Sequence, residues 1–230
     1  EVKVERILSK IQSDFRLKEL PVHMECFDNS NIQGTNPVSA CVVFKNGRPS
    51  KKDYRHFNIK TVEGPDDYES MREAIYRRYK RMLEEGNDLP QLLIVDGGKG
   101  QLSAGVDALE KLGLRGKLPI VGIAKRLEEI FFPGDKLPLY IDKKSESLKV
   151  IQYMRNEAHR FGIEHHRNRR SKAALGSSLL EIEGIGDKTQ ETLMRHFRSI
   201  SKIKSATEKE LTEVIGLTKA KLLTSHFKKE

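Results

Sequence analysis

The sequence predicts an α/β domain built on a mixed sheet in the element order βββαβαβ, followed by a small all-α domain. Three short apolar runs precede the first long helical pattern, and an Asn-Gly pair joins two of them, which favours an antiparallel start. Two further apolar runs alternate with helical patterns, as is typical of parallel neighbours. From about residue 175, short helical stretches broken by glycine replace the strand-like runs.

The N-terminal segment, residues 1–19, is predicted to form a helix or linker. Apolar residues recur at the helical period through residues 2–20, with lysine and arginine between them. Pro21 would end this helix, because proline cannot donate the backbone hydrogen bond that the next turn requires.

Three strands are predicted next. An apolar segment over residues 22–27 ends in Asp28-Asn29-Ser30, and the run over residues 38–45 is apolar on both faces, as a central strand would be. Asn46-Gly47 is a hairpin signal, so residues 53–59 are interpreted as the return strand.

A helix is predicted to begin at Gly64-Pro65-Asp66-Asp67, because proline and acidic residues suit a first turn. Its apolar face is formed by Tyr68, Met71, Ile75, Tyr79 and Met82. Gly86-Asn87 would end it. The rest of this domain, which is predicted to span residues 20–174, comprises a strand over 92–95, a helix over 99–112, a strand over 119–124, an inserted hairpin over 126–142 and a long helix over 147–174.

Residues 175–230 contain an imperfect internal repeat. The segment Glu183–Lys188 (EGIGDK) is echoed by Ile215–Lys219 (IGLTK), and each copy closes on a His-Phe pair. Two helix-turn-helix units of similar length predict a separate small domain.

The charge balance points to a polyanionic partner. The 230 residues include 42 Lys and Arg against 33 Asp and Glu, a net charge of +9, which favours nucleic acid, although solubility alone is the alternative. No apolar run approaches the roughly 18 residues of a membrane span, so we expect no membrane partner. Cys26 and Cys41 are too few for a disulfide scaffold or a cysteine-rich zinc site, and a cytoplasmic location is expected.

Asp28 and Asp96 are the first candidates for chemistry. Each follows an apolar strand, and the carboxyl ends of parallel strands are where sites form in open sheets. If the two strands are neighbours, their carboxylates share either a proton or a divalent cation, and in a basic protein Mg²⁺ or Mn²⁺ is favoured. The alternative is that both are turn-forming aspartates.

The long helix supplies a histidine and a basic segment. His159 shares a helical face with Asn156, and histidine near neutral pH acts as a base, an acid or a metal ligand. Downstream, Arg167, Arg169 and Arg170 could follow a phosphate backbone or form an ordinary solvated helix end.

Two kinds of glycine turn could allow a phosphate to bind close to the backbone. The segment Asp96–Gln101 lacks the spacing of a nucleotide-binding Walker loop, so an NTPase is excluded. The repeated turns place glycines before a helix N-terminus, which favours an anion, although G-x-G also occurs in ordinary tight turns. The residues predicted to grip a nucleic-acid backbone there are Gly184, Gly186 and Lys188 in the first copy and Gly216 and Lys219 in the second.

Four ordered blocks carry a resemblance to a known family. They are Phe27–Gly34 (FDNSNIQG), Asp67-Tyr68, Leu93–Leu102 (LIVDGGKGQL) and Arg155–Phe161 (RNEAHRF). From about residue 20 to 230 the chain resembles the C-terminal half of the UvrC family, the nuclease subunits of bacterial nucleotide excision repair. Residues 175–230 resemble its tandem helix-hairpin-helix module.

The resemblance implies a ribonuclease H-like fold and a divalent-metal endonuclease that makes the incision on the 5′ side of a DNA lesion. It implies catalytic roles for Asp28, Asp96 and His159, with Asp67 also implicated. Asp28, Asp96 and His159 are the expected ligands of Mg²⁺ or Mn²⁺, and the alternative for His159 is that it takes the proton of the attacking water. Lys99 and Arg160 are expected phosphate contacts. Thr218 departs from the pattern, because the first hairpin has Gly186 at that place.

The resemblance also implies partners. The expected substrate is double-stranded DNA that is damaged and contains a bubble. UvrB is the expected partner of the full-length protein, through a region that we do not find in this chain, and we also find no nuclease module for the 3′ incision. The alternatives are a non-catalytic DNA-binding adaptor and a nuclease for RNA–DNA hybrids.

Overall fold

The computed structural model describes residues 1–30, 37–60 and 66–228, except for the side chains of 168–178 and 180. The block Asn31–Gly34 and the predicted helix start at Gly64-Pro65 lie outside the described residues. The chain forms two compact units, Glu1–His165 and His166–Glu230. Each unit is described separately below, and the predicted boundary near residue 175 stays a prediction.

A mixed sheet is the centre of the first unit. The described residues contain eight strands, which are β1 (His23–Ser30), β2 (Val38–Lys45), β3 (Arg48–Pro49), β4 (Arg55–Asn58), β5 (Leu92–Asp96), β6 (Ile120–Ile123), β7 (Glu129–Phe131) and β8 (Leu139–Tyr140). Their order across the sheet is β3-β2-β1-β5-β6-β7-β8, and β4 also pairs with β2.

The first strands are antiparallel, as predicted. Asn46 and Gly47 both have positive φ angles, 54° and 76°, and connect β2 to β3 in the manner of a two-residue hairpin. The predicted return strand over 53–59 is interrupted, because a short 3₁₀ turn at Lys51–Asp53 precedes β4. β4 then pairs with the first half of β2, from Val38 to Cys41.

The later strands give the sheet its parallel part. β5 runs parallel to β1 with Phe27 beside Val95, and β6 runs parallel to β5 with Asp96 beside Ile123. The inserted hairpin predicted over 126–142 is formed by β7 and β8, which are antiparallel to one another. The predicted mixed sheet is therefore confirmed.

Four helices cover the two faces of this sheet. They are α1 (Val2–Asp14), α2 (Asp67–Glu84), α3 (Gly98–Lys111) and α4 (Glu146–Leu180). One core contains side chains of α1 and α4, such as Ile11 and Met154, packed with Cys26 of β1. The other contains Ile75 of α2 packed with Phe27. Alternate residues of β1 thus enter different cores, which explains why the central strands are apolar on both faces.

The predicted helix over residues 2–20 is too long. α1 ends at Asp14, because Arg16 adopts a left-handed conformation with φ 54°. The N–H of Arg16 donates to the carbonyl of Ser13 at 3.2 Å, and that of Leu17 donates to Gln12 at 2.9 Å. These two bonds form a Schellman cap, which turns the chain away well before Pro21.

Glu25 is a charged residue inside the apolar run of β1, and it is fully buried. It accepts hydrogen bonds from Arg78 at 2.5 and 2.7 Å and from the Tyr79 hydroxyl at 2.7 Å, while His23 Nε2 lies 2.7 Å from its second oxygen. Burial opposes its ionisation, but hydrogen bonds from Arg78 and His23 and the charge of Arg78 lower the pKa of Glu25 to about 2. The group therefore stays ionised within the core.

The second unit is helical over the residues described. After the end of α4 it contains α5 (Asp187–Phe197), α6 (Ile200–Ser205), α7 (Glu208–Ile215) and α8 (Leu217–Phe227). Its core is formed by residues such as Leu193, Ile203, Leu211 and Leu223. Thr207 and Glu210 form a reciprocal capping box at the start of α7. Across the described part of the chain, no helix is both long enough and apolar enough to cross a membrane.

Candidate active site

Two carboxylates lie side by side at the carboxyl ends of the parallel strands. Phe27 of β1 is paired with Val95 of β5, so the next residues, Asp28 and Asp96, are neighbours at one edge of the sheet. Burial and the charge of Asp96 together raise the pKa of Asp28 to about 7. Burial likewise raises the pKa of Asp96. The structure therefore brings together the two strand-end aspartates that the sequence singled out.

His159 joins this pair from α4. Its Nδ1 lies 3.4 Å from Oδ2 of Asp28, although 67% of the imidazole side chain is exposed, against 13% of the aspartate. The preceding residue, Ala158, is fully buried in the core between α4 and the sheet. This packing fixes the helix on the sheet and leaves the imidazole at the solvent side of the carboxylates.

A cavity of about 540 Å³ opens beside Asp96. Its lining residues are Asp96, Gly97, Ala124, Lys125, Arg155, Asn156 and His159. The guanidinium of Arg155 donates to the carbonyls of Ala124 at 3.1 Å and Lys125 at 3.4 Å. Its positive charge lowers the pKa of Asp96 and so partly opposes the effect of burial. Arg155 was not among the site residues predicted from the sequence, although its position one helical turn before His159 was a usable signal.

The chain reverses direction directly after Asp96. Gly97 and Gly98 have φ angles of 145° and 80°, which side chains other than hydrogen strongly disfavour. The Gly97 N–H donates to the carbonyl of Ile123 at 2.9 Å, which ties the turn to β6. The two glycines thus serve the turn that starts α3, and the approach of a phosphate to them stays a prediction.

Asp67 is connected to the strand that carries Asp28 through its backbone carbonyl. It begins α2, where the side chain of Asp66 accepts a capping hydrogen bond from the N–H of Glu69. The amide Nδ2 of Asn29 donates to the carbonyl of Asp67 at 2.7 Å, and Ser39 Oγ donates to Oδ1 of Asn29. The Asp67 residue is exposed. Asn29, which directly follows Asp28, was not among the predicted site residues, because asparagine after a strand is typical of a turn.

The donor set at this edge suits a hard divalent cation. Among the residues that the structure describes, no three His, Cys, Asp or Glu side chains are grouped closely enough to form a complete metal site. Mg²⁺ is commonly held by one or two carboxylates, with water and phosphate oxygens completing its shell. Asp28 and Asp96 fit that pattern, since a cation between them would relieve the repulsion that raises the pKa of Asp28. The assignment of His159 as a third ligand stays a prediction.

Two expected phosphate contacts are engaged within the protein. The Lys99 ammonium donates to the carbonyl of Lys136 and lies 5.5 Å from the ring of Phe131. Arg160 donates to both oxygens of Glu157, at 2.9 and 3.1 Å, and to Glu164 at 3.0 Å. A phosphate would therefore have to compete with existing partners at both residues, and their DNA contacts stay predictions.

The basic segment after His159 is only partly described. Arg167 is exposed on α4. The side chains of Arg169 and Arg170 lie outside the described residues, so their predicted DNA contacts stay predictions.

The two glycine turns of the second unit differ in their lysines. Gly186 precedes α5, and Lys188 is exposed in the first turn of that helix. Gly216 precedes α8 in the same way, but the ammonium of Lys219 donates to Oγ1 of Thr189 on α5 at 2.8 Å. Leu222 of α8 also packs so closely on Gly184 that a Cβ there would lie 2.8 Å from it. Lys219 therefore connects the two hairpins, whereas Lys188 faces solvent.

Comparison with known proteins identifies both units. The model described as the UvrC RNAse H endonuclease domain matches residues 12–163, and that of a SAM-like helix-hairpin-helix tandem matches residues 177–229. The predicted ribonuclease H-like fold, with a helix-hairpin-helix region after it, is confirmed. Among solved structures, Ciona intestinalis Endonuclease V in complex with an inosine-containing DNA is 17% identical, with 68% of each chain covered and a TM-score of 0.34.

Curated relatives match almost the whole chain. UvrABC system protein C of Flavobacterium johnsoniae is 65% identical over 98% of this chain and 38% of its own length. The proteins of the same name from Christiangramia forsetii and Bacteroides fragilis are 65% and 46% identical, over 99% and 95% of this chain and 38% and 36% of their own lengths. The chain spans somewhat more than a third of the length of these relatives. On these matches, the chain belongs to the UvrC family and contains its ribonuclease H endonuclease domain.

Proposed function

We propose that the chain is a divalent-metal-dependent endonuclease that makes the incision on the 5′ side of a DNA lesion in nucleotide excision repair. The observation that supports this proposal is the pair Asp28 and Asp96, which directly follow the paired residues Phe27 and Val95 of two parallel strands. Burial raises the pKa of both carboxyl groups, as is common at functional sites. The relatives named UvrABC system protein C support the repair role.

Asp28 and Asp96 would hold Mg²⁺ or Mn²⁺. When bound, that ion supplies positive charge that polarises the scissile phosphate and lowers the pKa of an attacking water. His159 presents Nδ1 to Asp28, which leaves Nε2 as the nitrogen able to accept the proton of the water. Arg155 stays on its two carbonyl partners and keeps a positive charge beside Asp96.

The helix-hairpin-helix unit would hold the DNA backbone. The exposed Lys188 and the N-terminus of α5 offer a positive surface that recognises phosphate regardless of base sequence. We propose damaged, bubble-containing double-stranded DNA as the substrate. UvrB is the proposed partner of the complete protein, as the name of the UvrABC system suggests.

Nicking of a supercoiled plasmid tests the activity. The chain is expected to nick in Mn²⁺ or Mg²⁺ and to stop in EDTA, and Asp28→Asn should abolish nicking while it leaves DNA affinity within a few fold. Asp88→Asn is the matched control, because this exposed aspartate precedes β5 at the end opposite Asp96. Nicking that survives EDTA or Asp28→Asn would refute the metal assignment, and tight DNA binding without any nicking would favour the adaptor. Faster cleavage of an RNA–DNA hybrid than of DNA would favour the hybrid nuclease.

A further inference from the structure

Tyr68 is an exposed aromatic residue at the start of α2. It follows Asp67 in the first turn of α2, and 53% of the residue is exposed. Tyrosine normally buries the body of its ring and keeps only the hydroxyl in water. The described part of the chain provides no hydrogen-bond partner for this hydroxyl. An ordinary structural role in the core therefore does not account for Tyr68.

The ring is nevertheless held in a defined place. It lies directly on Gly100, and a Cβ built at that glycine would collide with the ring carbons Cε1 and Cζ. Gly100 belongs to the first turn of α3, which starts immediately after Asp96 and its glycine turn. Any other residue at position 100 would push the ring away, so the glycine accommodates Tyr68.

Tyr68 and Gly100 are both connected to the edge of the sheet where Asp28 and Asp96 lie. On one side, the carbonyl of Asp67 is bound by Asn29, the neighbour of Asp28. On the other side, Gly100 is four residues after Asp96. The ring thus bridges the first turns of α2 and α3, which begin at the edge where the two carboxylates lie.

We propose that Tyr68, supported by Gly100, is a stacking platform that binds an unpaired nucleobase of the DNA next to the scissile phosphate. This proposal rests on the proposed function and deepens it by naming what the site recognises. An aromatic ring stacks on any base without reading its sequence, but a base in a duplex is already stacked on its neighbours. Tyr68 would thus favour a bubble over a continuous duplex.

Binding without metal tests the platform independently of cleavage. The dissociation constants of the 230-residue chain for a DNA with an unpaired bubble and for the matched duplex are measured by fluorescence anisotropy in EDTA. Stacking of one base contributes about 1–3 kcal/mol, so Tyr68→Ala should reduce the preference for the bubble by about 5- to 150-fold. Tyr68→Phe should preserve it, because phenylalanine keeps the ring.

Two further variants separate stacking from a loss of structure. Gly100→Ala keeps the tyrosine but displaces its ring, and it should reduce the bubble preference as Tyr68→Ala does. Tyr140→Ala is the matched control, since this tyrosine of the β7–β8 hairpin is 67% exposed and should leave the preference unchanged. An unchanged preference in Tyr68→Ala, or an equal loss of affinity for bubble and duplex, would overturn the proposal.

The nuclease assignment can fail separately. Asp28→Asn is expected to keep the preference for the bubble, because the platform does not need the metal. If the wild-type chain prefers the bubble through Tyr68 but never cuts, the platform stands and the nuclease function fails. If the chain cuts but Tyr68→Ala binds both DNAs as the wild type does, the nuclease function stands and the platform fails.

Discussion

Replacing Asp28 by asparagine should stabilise the metal-free protein at alkaline pH. In the folded chain the pKa of Asp28 is raised from 3.8 to about 7, chiefly by burial and by the charge of Asp96. Between those two values the folded state binds more protons at this site than the unfolded state does. The contribution of Asp28 to the free energy of unfolding therefore decreases as the pH rises from about 4 to 7, and its full destabilising effect is present above pH 7.

The magnitude follows from the shift. A difference of roughly three pH units at about 1.4 kcal/mol each gives an upper estimate of about 4 kcal/mol at pH 8. The amide of Asp28→Asn would keep the shape of the side chain but carry no charge. The free energy of unfolding of the variant at pH 8 should therefore exceed that of the wild type by up to that amount. Near pH 4 both proteins carry an uncharged group at this position, so their stabilities should be similar.

Urea unfolding in EDTA at pH 4 and pH 8, followed by far-UV circular dichroism, measures the difference in stability between the wild type and Asp28→Asn. Asp88→Asn serves as the control, because its carboxylate is exposed. Saturating Mg²⁺ or Mn²⁺ should then stabilise the wild type at pH 8 and leave Asp28→Asn nearly unchanged. Equal stability of the two proteins at pH 8 in EDTA would refute the account of a strained carboxylate pair.

Three further predictions address other parts of the chain. His159→Ala should lower nicking by about 100-fold or more, because the variant has no imidazole to accept the proton of the water, whereas recovery in excess Mn²⁺ would instead make the imidazole a metal ligand. Arg78→Met should leave Glu25 buried without its main partner and cost about 3–5 kcal/mol in urea unfolding; a loss below about 1 kcal/mol would contradict the buried ion pair. Lys188→Met should reduce the slope of log affinity against log salt by about 1, while Lys219→Met should leave the slope unchanged and lower the melting temperature; identical slopes for both variants would contradict the different roles.

Much of the fold could be predicted because the local signals agree with the tertiary structure. The apolar runs, the Asn46-Gly47 turn and the acidic start of α2 specify strands, hairpin and helix without reference to distant residues. The end of α1 could not be predicted in this way. Arginine has no strong preference for the left-handed conformation that Arg16 adopts there, so the residue type gives no signal that the helix ends.

The carboxylates of the site could be predicted because each follows an apolar strand. Asp28 and Asp96 each follow an apolar strand, and the parallel pairing of β1 with β5 then places them together. Asn29, Arg155 and Gly100 were missed because each acts on a residue that is distant in sequence. Gly100 was interpreted as part of a loop open to phosphate, whereas its close neighbour is the ring of Tyr68 from another helix.

β1 carries two carboxyl groups, only three residues apart, whose pKa values are shifted in opposite directions. Glu25 has a pKa of about 2, and Asp28 has a pKa of about 7. Carbodiimides activate protonated carboxylic acids, so near pH 6 the metal-free protein should be labelled by a carbodiimide and an amine at Asp28, while Glu25 stays unmodified. A bound divalent cation would keep Asp28 ionised and protect it from the reagent. A single peptide in the mass spectrum would then contain both Asp28, whose labelling reports the metal, and Glu25, which stays unmodified for comparison.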